Sequence, residues 1–180
     1  MAAAADGRRF AAIRRLIELW ALGGGLLLVA VALTNVASVV GAALFTANET
    51  GWLGGILPDW LARPVPGDFE LTEMGTCIAA FAFLPYVQLT RSNVTADIFT
   101  SGASPRWVAR FSLAGSVVAI LFTLILGWRM YFGMLDQQAY GYTTAILAIP
   151  HWIAFVPILI SLALTTVAAA ITLAEDAARA

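Results

Sequence analysis

The residue types that carry out chemistry are sparse in this sequence, and their spacing assembles no reaction. There is one His, His151, and one Cys, Cys77. A haem held between helices takes paired axial ligands, commonly His, and a metal site takes several His, Cys, Asp or Glu converging on one point. A single imidazole beside Pro150 meets neither need, and an amphipathic ring at a membrane–water boundary accounts for it. No Ser-His-Asp set can be drawn with one His serving alone, and no glycine-rich phosphate loop is present. The expected catalytic, cofactor and metal residues are therefore none, no cofactor is expected, and the chain is read as not an enzyme. Cys77 lies in an apolar run and cannot form an internal disulfide, so it says nothing about redox compartment.

The polar residues that remain have spacings suited to contact. Asn35 and Ser38 stand three apart with Gly41 a turn beyond, so they share one helical face. Small and mildly polar residues on one face are how membrane helices pack against each other. Glu70 and Glu73 also stand three apart, at the start of an apolar stretch where the positive end of a helix dipole stabilises each modestly. The other reading of this pair has them receiving Arg or backbone donors from a partner subunit. Asp97 either caps a short helix or pairs with Arg91. Trp52 and Trp60 lie in a segment whose apolar residues recur at helical spacing, and tryptophan prefers the boundary of a bilayer. Asn35, Ser38, Gly41, Trp52, Trp60, Glu70, Glu73, Arg91 and Asp97 are thus the candidate interface residues.

The elements that must position them follow from composition. Of 180 residues, 61% are hydrophobic and only 12% charged, an apolar excess that points to lipid as the solvent. The net charge of −1 gives no basic surface, so no nucleic-acid partner is expected. A helix crossing the hydrocarbon needs about 20 apolar residues, and each charge at its centre costs about 2.5–3.5 kcal/mol. Four intervals qualify: about 19–45, 70–90, 105–132 and 146–173. The first follows four arginines but is too long for a signal-peptide core, so it reads as a retained span. The second is the shortest, with 74–90 alone free of charge. The third opens at Ser104-Pro105, a good cap and first-turn pair. In the fourth, Pro150 marks an entry turn and Pro157 a kink.

These intervals predict an all-α integral membrane fold, a single four-helix domain over 1–180. Placing the N-terminus in the cytoplasm puts Arg8, Arg9, Arg14, Arg15, Arg91, Arg106, Arg110 and Arg179 inside and only Arg63 and Arg129 outside. That bias predicts an N-in, C-in topology. The loop 46–69 is then outer and is expected to hold a short interfacial helix, and the loop 91–104 is inner. Span centres carry no acid or base, which weighs against a solute path through the chain itself.

Three stretches carry a resemblance: Asp68-Phe69-Glu70-Leu71-Thr72-Glu73, then Ala80-Phe81-Ala82-Phe83-Leu84-Pro85-Tyr86, then Arg91-Ser92-Asn93-Val94-Thr95-Ala96-Asp97-Ile98-Phe99. With Thr143-Thr144-Ala145-Ile146-Leu147-Ala148-Ile149-Pro150-His151-Trp152 before the last span, the chain resembles the DctQ-like small membrane subunit of tripartite ATP-independent periplasmic (TRAP) transporters. The motifs are individually short; their order and spacing carry the likeness. The resemblance implies a bacterial inner-membrane protein. It implies two protein partners beside lipid: a large multi-span subunit and a periplasmic substrate-binding protein that delivers an organic acid. Sodium-driven uptake would take place in the large subunit, whose substrate domain moves as an elevator, while the small subunit braces the fixed scaffold and offers part of the docking surface. The alternative is a membrane anchor for an enzyme or respiratory complex, which requires haem or quinone ligands.

Overall fold

The computed structural model describes residues 10–50, 52, 56–58, 60–92 and 105–177. Four helices run through them: α1 (Ala11–Glu49), α2 (Asp68–Leu89), α3 (Pro105–Tyr140) and α4 (Trp152–Ala177). α1, α4 and the Arg110–Tyr140 part of α3 are long and apolar enough to cross a membrane. α2, the span with the shortest charge-free run, falls outside that group, because Glu70, Glu73, Pro85 and Gln88 dilute its apolar residues. Its position explains why it tolerates Pro85, which is buried, and Gln88, which donates to Thr172 of α4. α2 packs on both α1 and α4, and α4 packs on both α2 and α3, so the helices are arranged α1–α2–α4–α3.

Hydropathy locates the membrane boundary, not the helix end, and two helices outrun their expected limits. α1 begins at Ala11 instead of near residue 19, because Arg14 and Arg15 are good helix formers although they leave the oil. At 39 residues it is about 58 Å long, far more than a hydrocarbon core of about 30 Å needs. α3 continues past residue 132 to Tyr140 and stops at Gly141, whose φ of +66° is the left-handed closure that glycine permits. α4 is shifted the other way. Residues 146–151, expected to be helical, belong to the connection before it, and the helix starts at Trp152, just past Pro150. Pro157 sits inside the helix as read from the sequence.

The expected interfacial helix in the loop 46–69 is not found among its described residues. Those between the end of α1 and the start of α2 form bends and turns, one of them closed by Leu61 and Ala62 amides donating to the Pro58 carbonyl. Residues 51, 53–55 and 59, which the expected helix would also take in, lie outside the described residues.

Small side chains make the core. Ala21, Ala79, Ala82, Ala168 and Ala169 are buried, as are Gly24, Gly41 and Gly75. On α1 the buried residues Ile17, Ala21, Gly24, Val31, Ser38 and Gly41 recur at three-, four- and seven-residue steps, the seam of a closely packed helix pair. A Cβ on Gly24 would lie 2.7 Å from Ala82 Cβ, and one on Gly75 would lie 2.5 Å from a Val31 methyl. Where α1 meets α4, Ile17 packs with Ala168 and Ile171, and Leu89 joins them.

The backbone carbonyl of Arg63 occupies the space a Cβ on Gly41 would fill. Gly41→Ala is therefore expected to destabilise the chain by about 1–3 kcal/mol, although Gly→Ala inside a helix ordinarily stabilises it. Gly115→Ala on α3, where a Cβ meets nothing within 4 Å, is the matched control. Thermal unfolding in detergent, followed by circular dichroism, compares them; equal midpoints would contradict the packing.

Candidate functional site

Polar contacts collect at the two ends of the bundle, with a ladder of hydroxyls between. At the end where α2 begins, Gly67 caps the helix with φ +73°. A Cβ there would fall 2.5 Å from Leu147 Cγ, so glycine is required by both conformation and space. Leu147 belongs to the α3–α4 connection, which folds back on itself. Thr143 pairs with Pro150, Thr144 donates to the Ile149 carbonyl at 2.9 Å, and His151 donates to the Tyr142 carbonyl at 3.0 Å. The Thr144 hydroxyl accepts the Ile149 amide at 3.0 Å, and Ala148 takes a left-handed φ of +53°.

This turn presents two amides outward, and Glu70 takes both. Ile146 N–H donates to Oε1 at 2.6 Å and Leu147 N–H to Oε2 at 3.0 Å. A carboxylate that accepts paired backbone donors is well matched, since charge-assisted bonds are the strong class. The backbone donors foreseen for Glu70 thus come from its own chain. Glu73, one turn on, is exposed and has no hydrogen bond or ion pair among the described residues. His151 is half-buried and serves the turn through its backbone amide.

The Asn35, Ser38 and Gly41 face also turns inward. Asn35 Nδ2 donates to Thr72 Oγ1 at 2.7 Å and to the Val31 carbonyl at 3.0 Å. Ser38 Oγ accepts the Val65 amide at 3.2 Å, and Gly41 admits the Arg63 backbone. These three join α1 to α2 and to the loop before it, so the packing they perform is intramolecular. Trp52 and Trp60 remain at the surface, 91% and 79% exposed.

At the opposite end, four helices are tied to two adjacent acids that the sequence reading did not single out. Asp176 is buried. It meets Arg91 Nη1 at 2.6 Å and accepts the Ser112 hydroxyl at 2.6 Å. Glu175 pairs with Arg14 and lies 3.6 Å from Arg91 Nη2. α1, α2 and α3 therefore each send a donor to the end of α4. Their signal was present: a Glu-Asp pair just past an apolar interval, at the face where the orientation rule gathers arginines. Arg91, a candidate for contact with a partner or Asp97, meets both acids here. Asp97 itself lies outside the described residues.

Arg91 reaches this position at a cost. Its φ is +56°, and Ser92 N–H reaches back to the Val87 carbonyl at 3.1 Å, closing α2 with the left-handed turn usually given to glycine. An arginine there loses about 1 kcal/mol or more, offset by a guanidinium against a buried carboxylate.

The family described as tripartite ATP-independent periplasmic transporters, DctQ component, matches the chain over residues 59–179, about two thirds of its length. The chain belongs to the DctQ family. The match takes in α2, α3 and α4 together with Glu70, its amide-bearing turn and the Glu175–Asp176 pair, while α1 precedes it. Comparison with curated proteins and with solved structures returned no match. DctQ proteins are membrane components of TRAP systems, working with a large DctM subunit and a periplasmic binding protein. They form a transporter-component family, not an enzyme family.

Two outcomes follow for this DctQ chain. Glu70→Ala should raise hydrogen exchange at the Ile146 and Leu147 amides about tenfold, with α4 amides beyond residue 158 unchanged; unaltered protection at both amides would remove the clamp. Arg91→Ala should cost about 1–2 kcal/mol, less than a fully buried pair because the guanidinium is 38% exposed. Arg91→Gly should cost about 1 kcal/mol less, since glycine adopts the left-handed turn freely. Chemical denaturation in detergent reads both, and an equal loss for Ala and Gly would deny the strain.

Proposed function

We propose that this chain is the accessory small subunit of a binding-protein-dependent, sodium-driven secondary transporter for organic acids. It braces the large elevator subunit and helps dock the periplasmic binding protein. The observation that carries the reading is the family match over residues 59–179. In this reading the chain lies in the bacterial inner membrane with four spans, N-in and C-in, and the Glu70 clamp faces the periplasm.

Two features of the structure support a bracing role. Polar side chains between the helices are engaged in holding them together. Thr123 and Thr166 hydroxyls lie 2.9 Å apart between α3 and α4, Gln88 donates to Thr172 between α2 and α4, and Trp20 donates to Ser161 between α1 and α4. Groups spent on helix contacts are not arranged to grip a solute. The flanking helices, by contrast, turn broad apolar faces outward: Leu22, Leu26 and Leu33 on α1, and Val118, Phe122 and Ile125 on α3. Such faces suit lipid and a large hydrophobic neighbour.

Trp52, Ile56 and Trp60 are strongly exposed on the same side as the clamp, and they make the loop the natural contact for a binding protein. Co-expression with the large subunit should give a complex stable to purification, and uptake should depend on the chain. A well-behaved solitary monomer, with transport persisting in its absence, would refute the role. Deleting residues 50–62 should weaken binding-protein affinity and uptake while the membrane complex stays intact; unchanged values for both would refute docking by this loop.

A further inference from the structure

An open groove of about 150 Å³ runs between α1, α2 and α4, lined by Leu19, Gly23, Leu27, Ile78, Ala82 and Pro157, with Trp20 and Gly24 completing its wall. It forms because α1 touches α4 near its own start, through Ile17 and Trp20, and then packs on α2 through Gly24. Gly23 leaves the mouth empty: a Cβ there would meet nothing within 4 Å.

The groove is lined almost wholly by carbon. Its side-chain donor, Trp20 Nε1, is taken by Ser161 Oγ at 2.9 Å, and the Ser161 hydroxyl donates to the Pro157 carbonyl at 2.7 Å. A space without free polar partners does not hold water but does hold hydrocarbon, and one of this size takes about six carbons. Leu19, Gly23 and Leu27 continue a ridge of residues four apart that begins at Arg15. Arg15 is exposed, and no ion pair with another described residue engages it. It stands about 12 Å before Gly23 along the axis, and helical side chains lean toward the N-terminus. A cation therefore stands where the headgroup would be when an acyl chain fills the groove. Glu18 stands three residues on, beside Arg15 on the same side of α1; it is also exposed, and no ion pair joins the two.

We infer that the groove seats one acyl chain of an anionic phospholipid whose phosphate is held by Arg15. This goes beyond the bracing role: the lipid acts as a wedge that completes the packing of α1 against α2 and α4.

The test uses the full chain in phosphatidylcholine nanodiscs with trace phosphatidylglycerol bearing a mid-chain diazirine, and a phosphatidylcholine probe as the second arm. Adducts of the phosphatidylglycerol probe should concentrate on Leu19, Leu27 and Ile78. Arg15→Gln should lower them about fivefold and leave the phosphatidylcholine probe unchanged. Gly23→Leu, whose Cβ would meet nothing within 4 Å, should abolish groove labelling by both probes while labelling on α3 stays as an internal reference. Labelling spread evenly over the exposed faces of α1 and α3 would overturn the site, as would indifference to both substitutions. Equal labelling by the two headgroups would overturn the Arg15 contact.

Discussion

Hydrocarbon supplies no hydrogen bonds, so a polar group that enters it must bring its partner or find one inside the protein. The arrangement of this bundle follows from that constraint. Hydroxyls of Ser161, Thr165 and Thr166 each return to a carbonyl one turn back. Those that also reach a neighbour mark where two helices touch. The ion pairs between described helices lie at one end, where the one buried carboxylate among the described residues, Asp176, meets a guanidinium and a hydroxyl together.

The two ends perform the same task by different means. At one, backbone amides gather on a carboxylate: Glu70 pins the turn before α4 to the start of α2. At the other, side chains gather on side chains, with α4 as the hub for Arg14, Arg91 and Ser112. Between them the helices approach closely because alanine and glycine line the contacts. Within lipid that close approach, with its dispersion and hydrogen bonds, replaces the hydrophobic drive that holds soluble bundles together. The strained backbone at Arg91 fits this economy, since a relaxed residue at that corner would not present a cation to Asp176.

Legibility in the sequence varied with how local the cause was. The Asn35-Ser38-Gly41 face was readable from spacing because helical geometry puts residues three and six apart on one side. That the face meets α2 and the loop at Arg63 was not. Glu70 stood out as a carboxylate in a first turn, yet its donors lie 76 and 77 residues away, and no local rule pairs an acid with a distant turn. Glu175 and Asp176 were passed over because hydropathy treats charges as stops. A stop at the edge of the oil is also the cheapest place to tie helices with ions.

The sequence alone determined the kind of protein: apolar runs long enough to need lipid, charges gathered at their margins, and motif order that pointed to a TRAP small subunit. Those are consequences of transfer free energy and local periodicity, which each segment carries by itself. The tertiary structure decided that α2 and α4 form the interior and α1 and α3 the flanks, that Glu70 and Arg91 spend their charge within the chain, and that α1 diverges enough from α4 to leave a groove. These depend on how close particular small residues allow the helices to come, a property of pairs of surfaces that no single segment contains.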